Sequence, residues 1–117
     1  MSVNPSYDYE GTVLEVIDGD TADIDVKLGF LITAHVRFRF YGINTPEIRG
    51  AEREEGLRSK QWVIDHCGPG TKVIVRSHKT GKYGRWLGEI FLVDDAGRAI
   101  EPSINDQLVE LGLAEVY

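Results

Sequence analysis

Residues 21–28 read TADIDVKL, and their alternation decides the fold class. Ala22, Ile24, Val26 and Leu28 fall on one side of an extended chain, and Thr21, Asp23, Asp25 and Lys27 on the other. A period of two marks a strand with one buried face. Upstream, Tyr9 to Ile17 (YEGTVLEVI) has strand composition and runs into the turn signal Asp18-Gly19-Asp20. Downstream, Gly29 marks a bend before a strand from about Ile32 to Ile43. There Val36, Phe38 and Phe40 share one face, and Arg37, Arg39 and Tyr41 the other.

From Glu54 to Cys67 the period lengthens. Leu57, Gln61 or Trp62, and Ile64 or Asp65 recur at helical spacing, and Gly68-Pro69 is a stop signal. Strands follow at 72–76 and 86–93, joined by a polar, glycine-containing connection, and Asp94-Asp95-Ala96-Gly97 turns the second. Ser103 caps a last helix, INDQLVELG, with Gly112 near its end. The order is three strands, helix, two strands, helix. Five strands closing on themselves predict a mainly β protein, an OB-fold barrel with one helix between strands 3 and 4 and one near the C-terminus. Residues 1–8 read as a loose N-terminal arm and 9–117 as one domain, a size that 117 residues suit.

Composition narrows the class. Cys67 is the single cysteine, so no disulfide framework forms within the chain. No run of eighteen apolar residues exists to span a membrane. The opening MSVNPSYDYEG has neither a basic n-region nor an apolar run, so a cytoplasmic protein is expected. The net charge of −6 argues against casual nucleic-acid binding, but its distribution does not. Eleven of the thirteen Lys and Arg lie between Arg37 and Arg85 with five acids, so that stretch is +6 and the rest −12. A basic middle on an acidic body suits a phosphate-binding face.

Three stretches offer the residue types that phosphodiester hydrolysis needs: charge neutralisation, a base for water, and donors for the transition state. In VIDGDT, Asp18 and Asp20 flank a glycine, and two such carboxylates can hold a hard cation, although DGD is also a common turn. In RFRFYGINTPEIRG, Pro46 restricts Thr45 to extended geometry and presents Thr45 and Glu47 beyond a strand end. Arg39 faces away from the phenylalanines, free either to grip phosphate with its planar fork or to form a surface ion pair. In KTGKYGRWLGEI, Tyr83 and Arg85 bracket Gly84, as a stacking surface and a second clamp or as a decorated hairpin turn.

Together the DGDT turn, the Arg39-to-TPE run, the KYGR loop and the closing LVELGLAEVY resemble the staphylococcal nuclease family, from about Tyr9 to Tyr117. The resemblance implies a calcium-dependent nuclease that cuts DNA and RNA with little sequence preference. It implies that Asp20 ligates calcium and that Thr45 lends its backbone carbonyl. Arg39 then contacts the scissile phosphate, Glu47 activates water, and Arg85 stabilises the transition state. Tyr83, with Lys82 before it, belongs to the loop beside the nucleotide. Asn44 stands where the archetype has a second calcium-binding aspartate; its amide oxygen is still an acceptable ligand, with one charge fewer, so another divalent cation is an alternative. The GINTPE spelling is similar to relatives in phage and prophage genomes. A monomer is expected, with DNA or RNA as its partner and no membrane. Asn44 and the acidic net charge also fit a rival, a non-catalytic OB module that binds nucleic acid or a protein.

Overall fold

The computed structural model describes residues 7–78 and 84–117. Lys82 and Tyr83, expected beside the substrate, lie outside the described residues. Three long strands come first: β1 (Asp8–Asp18), β2 (Thr21–Gly29) and β3 (Ile32–Phe40). A two-residue β4 (Ile43–Asn44) and a 3-10 turn lead into helix α1 (Arg53–Cys67). Then come β5 (Lys72–His78), β6 (Trp86–Val93), β7 (Ala99–Ile100), helix α2 (Ile104–Glu110) and β8 (Glu115–Val116).

The long strands lie in the order β3-β2-β1-β5-β6, all antiparallel. A parallel pairing of β3 with β6 closes them into a five-stranded mixed barrel, the OB layout. Closure removes the open edges a curled sheet would otherwise expose. The core comes from one face of each strand: Val13, Ile24, Phe40, Val75 and Ile90 are almost fully buried. Ile104 and Leu108 of α2 and Val63 of α1 are buried in the same core. As read from the sequence, Ser103 caps α2, its hydroxyl accepting from the Asp106 N–H at 3.1 Å. Among the described residues no helix is long and apolar enough to cross a membrane.

Three side-chain expectations need correction. The buried face of α1 is Gly56, Ser59, Val63 and Cys67, while Leu57 is 39% exposed. Small residues are there because the helix approaches backbone closely, and hydrophobicity does not signal that. Cys67 is sealed in, and burial pushes its thiol up to about 12, which leaves it inert. Asp23, read as solvated, is buried; the Arg37 guanidinium bonds both its oxygens, at 2.7 and 3.1 Å, and holds its carboxyl below the usual range. Leu28 escapes the core because β2 and β3 outrun the barrel there.

The projecting end of that hairpin turns through Phe30 and Leu31, at φ 56° and 63°. Two consecutive positive-φ residues between Gly29 and Ile32 make a turn that ordinarily selects Asn-Gly. Left-handed backbone at non-glycine residues costs about 1 kcal/mol or more each. Phe30→Asn with Leu31→Gly is therefore expected to stabilise the fold by about 1–2 kcal/mol, measured by urea unfolding. No gain would mean that the wild-type turn is relaxed by some other route.

Candidate active site

The cleft starts at the β1–β2 turn. Asp18 Oδ1 accepts the Asp20 N–H at 3.1 Å, folding the turn around Gly19. A β-carbon on Gly19 would sit 2.8 Å from Ser59 Cβ and 3.0 Å from Thr45 Oγ1. A glycine is required there because the turn lies directly against α1 and the residues after β4. Asp20, 5% exposed, then becomes the hub: its Oδ2 accepts the Thr45 N–H at 3.1 Å and Arg39 Nη1 at 3.3 Å. Its Oδ1 accepts the Thr21 hydroxyl at 3.2 Å.

The two neighbouring carboxyls are shifted in opposite directions. Burial, then the hydrogen bond and charge of Asp20, push Asp18 up to about 6. Burial opposes ionisation of Asp20 too, but hydrogen bonds from Asp18 and Thr45 and the charge of Arg39 outweigh it and hold Asp20 below the usual range.

Arg39 enters from β3, with its side chain 21% exposed. Beyond Asp20, its Nη2 donates to Asn44 Oδ1 at 3.0 Å and to the Ile43 carbonyl at 3.5 Å. The Asp20 and Asn44 oxygens thus converge, and the guanidinium bridges them. The Thr45-Pro46-Glu47 stretch continues past this point. It is pinned by Glu52, whose carboxylate accepts the Glu47 N–H at 3.0 Å. A β-carbon on Gly56 would collide with the carbonyls of Glu47 and Pro46. Gly19 was legible as the glycine of the DGDT turn, but its close approach to α1 was not, and Gly56, which belongs to no motif, was missed; only its three-residue step to Ser59 hinted at a small face.

Barrel closure brings in Arg85. In the parallel ladder Phe38 pairs with Trp86 and Arg39 with Leu87, so Arg85 precedes β6 beside the strand that carries Arg39. A cleft of about 520 Å³ is lined by Asp18, Asp20, Arg39, Asn44, Glu47 and Arg85, among others. An adjoining hollow of about 580 Å³ shares Arg39, Asn44, Glu47 and Arg85, and adds Tyr117. Tyr117 was legible only as part of the closing motif. It arrives because β8 pairs with β4 and its N–H bonds the Gly42 carbonyl at 2.9 Å, which sets its ring 5.5 Å from the Arg39 guanidinium. A third hollow, beside Tyr41 and Asn105, is lined by Glu89, Asp106 and Glu110 and, among the described residues, by no Lys or Arg, which does not suit phosphate.

His78 is not among the described residues that line the cleft. It stacks on Tyr41, ring centroids 3.7 Å apart, and lies 3.3 Å from Glu89. Trp86 is half exposed at the seam.

The donor chemistry fits a hard cation. Every candidate ligand atom near the turn is oxygen: the Asp18 and Asp20 carboxylates, the Asn44 amide and the Thr45 carbonyl. Burial, then the neighbouring Asp20 carboxylate, raises Asp18, and a cation held there would favour its ionised form. The set is modest in charge: among the described residues, no three His, Cys, Asp or Glu gather as a metal cluster.

Comparison with known proteins gives the family. Micrococcal nuclease of Shigella flexneri is 29% identical over 119 residues, which is 100% of this chain and 63% of that protein. Endonuclease YhcR of Bacillus subtilis is 27% identical over 94% of this chain but only 9% of its own length. Protein ParB of Escherichia coli is 31% identical over 92% of this chain and 56% of its own length. The chain thus spans less than two thirds of the curated relatives it matches. Residues 37–117, from the Arg37–Arg39 strand to the C-terminal tyrosine, match the family described as staphylococcal nuclease homologue, and the chain belongs to that family.

Proposed function

We propose that this domain is a calcium-dependent nuclease that hydrolyses phosphodiester bonds of DNA and RNA with little sequence preference. The observation that carries the proposal is the convergence of Arg39, Glu47 and Arg85 on one cleft whose floor is Asp20. Side-chain oxygens of Asp20 and Asn44 and the Thr45 carbonyl, with Asp18 beside them, would hold calcium or another divalent cation. When bound, that cation neutralises charge on the phosphate.

The chain's own groups do the remaining work. Arg39 and Arg85 grip the non-bridging oxygens and meet the charge that develops there. Arg39 is already oriented by Asp20 and Asn44, so little order has to be bought on binding. Glu47 orients the attacking water and takes its proton. Glu52 and Gly56 keep the backbone of Glu47 against α1 and so aim its carboxylate.

A second reading has one observation in its favour. The guanidinium of Arg39 already bridges Asp20 and Asn44, as it would in a module that binds nucleic acid without cutting it. Plasmid digestion separates the two. Cutting is expected with calcium and absent in chelator, and Glu47→Gln should lower the rate by about 10²-fold or more. Absence of calcium-stimulated cutting at high protein, with DNA binding equal in Glu47→Gln and in chelator, would establish the binding module instead.

A further inference from the structure

The two hollows at the cleft share Arg39, Asn44, Glu47 and Arg85, the residues around which cutting is proposed. A strand threaded past them has an arm of the cleft on either side of the bond. The arms differ in chemistry. One continues past Phe40, Leu87 and Tyr117 and, among the described residues, adds no further cation. The other runs toward the β1–β2 turn, past Ile17, Thr21, Arg37, Ile48 and Arg49.

The arginines are not equivalent either. Asp23 holds Arg37 through Nε and Nη2, so that charge is already met. Asp20 and Asn44 hold Arg39. Arg49 makes no hydrogen bond or ion pair with any described residue. Its backbone is nevertheless set. Glu47, two residues earlier, is tied to Glu52, and its carbonyl lies against Gly56. Arg49 itself is extended, at φ −130° and ψ 154°, and leads into the turn at Gly50, at φ 70°. A cation of unmet charge thus lines one arm on a fixed segment. Ile17 and Ile48, both partly buried, line the same arm, and apolar walls strengthen the field of a charge beside them.

We infer that Arg49 binds the phosphate next to the scissile one, on the side of the β1–β2 turn, so that the domain selects strands that continue past the cut there over substrates with a single phosphate. The inference rests on the nuclease reading for where the scissile phosphate sits. A phosphodiester presents two non-bridging oxygens, which a guanidinium fork can meet together. Between the two phosphates lies a sugar, for which Ile17 and Ile48 offer an apolar wall. The other arm lacks such a cation among the described residues, so the preference has a direction along the strand.

Arg49→Gln tests this without disturbing the fold, since no described residue pairs with the side chain; its Tm should stay within about 3 °C of wild type. In chelator, the slope of log K against log salt for a ten-nucleotide DNA strand should flatten by about 0.7, the release expected for one phosphate contact. In calcium, two trinucleoside substrates each carry one cleavable phosphate, with an uncharged methylphosphonate before it in one and after it in the other. In one of the two, wild-type kcat/KM at the cleavable bond should fall about tenfold below the all-phosphate parent, the scale of one charge-assisted contact. Arg49→Gln should be indifferent to that replacement and should cut a dinucleoside monophosphate as fast as wild type. An unchanged salt slope overturns the assignment, as does a wild type that binds no strand at low salt. Methylphosphonates that slow both proteins equally, or neither, overturn it too. A variant slow on the dinucleoside monophosphate overturns it by moving Arg49 to the scissile phosphate. A wild type that cuts none of these substrates in calcium removes the nuclease reading, while the slope in chelator still reads the Arg49 contact.

Discussion

Arg39→Ala is expected to lower kcat/KM on DNA by about a thousandfold, the scale of removing a preorganised transition-state donor. The side chain is mostly covered and held by three acceptors, on Asp20, Asn44 and Ile43. Its remaining N–H groups therefore meet a phosphate without further ordering. Arg39→Lys should recover little, because one ammonium cannot reproduce a planar fork that spans two oxygens while bridging Asp20 and Asn44. The stability cost should be only about 1–2 kcal/mol, since Asp20 keeps the Thr45 N–H and the Thr21 hydroxyl. Steady-state kinetics alongside urea unfolding reads both. A variant that keeps more than a tenth of wild-type kcat/KM would remove Arg39 from the role of phosphate clamp.

The largest stability effect is expected at Asn105, which is 2% exposed at the start of α2. Its Oδ1 accepts the Ile90 N–H at 3.0 Å, and its Nδ2 donates to the Tyr41 and Gly88 carbonyls at 2.9 and 3.1 Å. One amide thus satisfies three backbone groups of β6 and the segment after β3. Asn105→Leu has similar volume but strands the Ile90 N–H and the Tyr41 carbonyl, at about 1–3 kcal/mol each, while the Gly88 carbonyl keeps the Tyr41 N–H at 2.8 Å. A loss of about 4 kcal/mol is expected, or about 15 °C in Tm for a chain of this size. Thermal unfolding by circular dichroism measures it. A drop of under 5 °C would mean that water or a local shift satisfies those groups.

The two effects illustrate which features the sequence carries. TADIDVKL, the span of Trp86–Val93 and the Ser103 cap were legible because their signals are local: a period of two, or an oxygen at a helix start. The two-residue strands β4, β7 and β8 were not, because so short a ladder has no period. The buried face of α1 was misread since Gly56 and Ser59 are selected for close approach, and hydrophobic spacing does not register that. Burial of Asp23 depends on Arg37, fourteen residues away across the β2–β3 register. At the cleft, Asp20, Arg39, Glu47 and Arg85 were each legible as residue types within motifs. Their meeting depends on a parallel closure that no local pattern announces. Asn105 gave no signal, since its partners are main-chain atoms of distant strands.

That closure is brief. Three residue pairs join β3 to β6, against eight between β2 and β3. Arg39 and Arg85 stand on opposite banks of this seam, so the proposed grip on phosphate would be as durable as the shortest ladder in the barrel. Sub-global openings cost less than global unfolding. A brief parting here would disarm the domain while its other strands stay zipped, and re-closing would rearm it. Heat would then silence the cleft reversibly, as a dimmer does a lamp, well before the fold is lost.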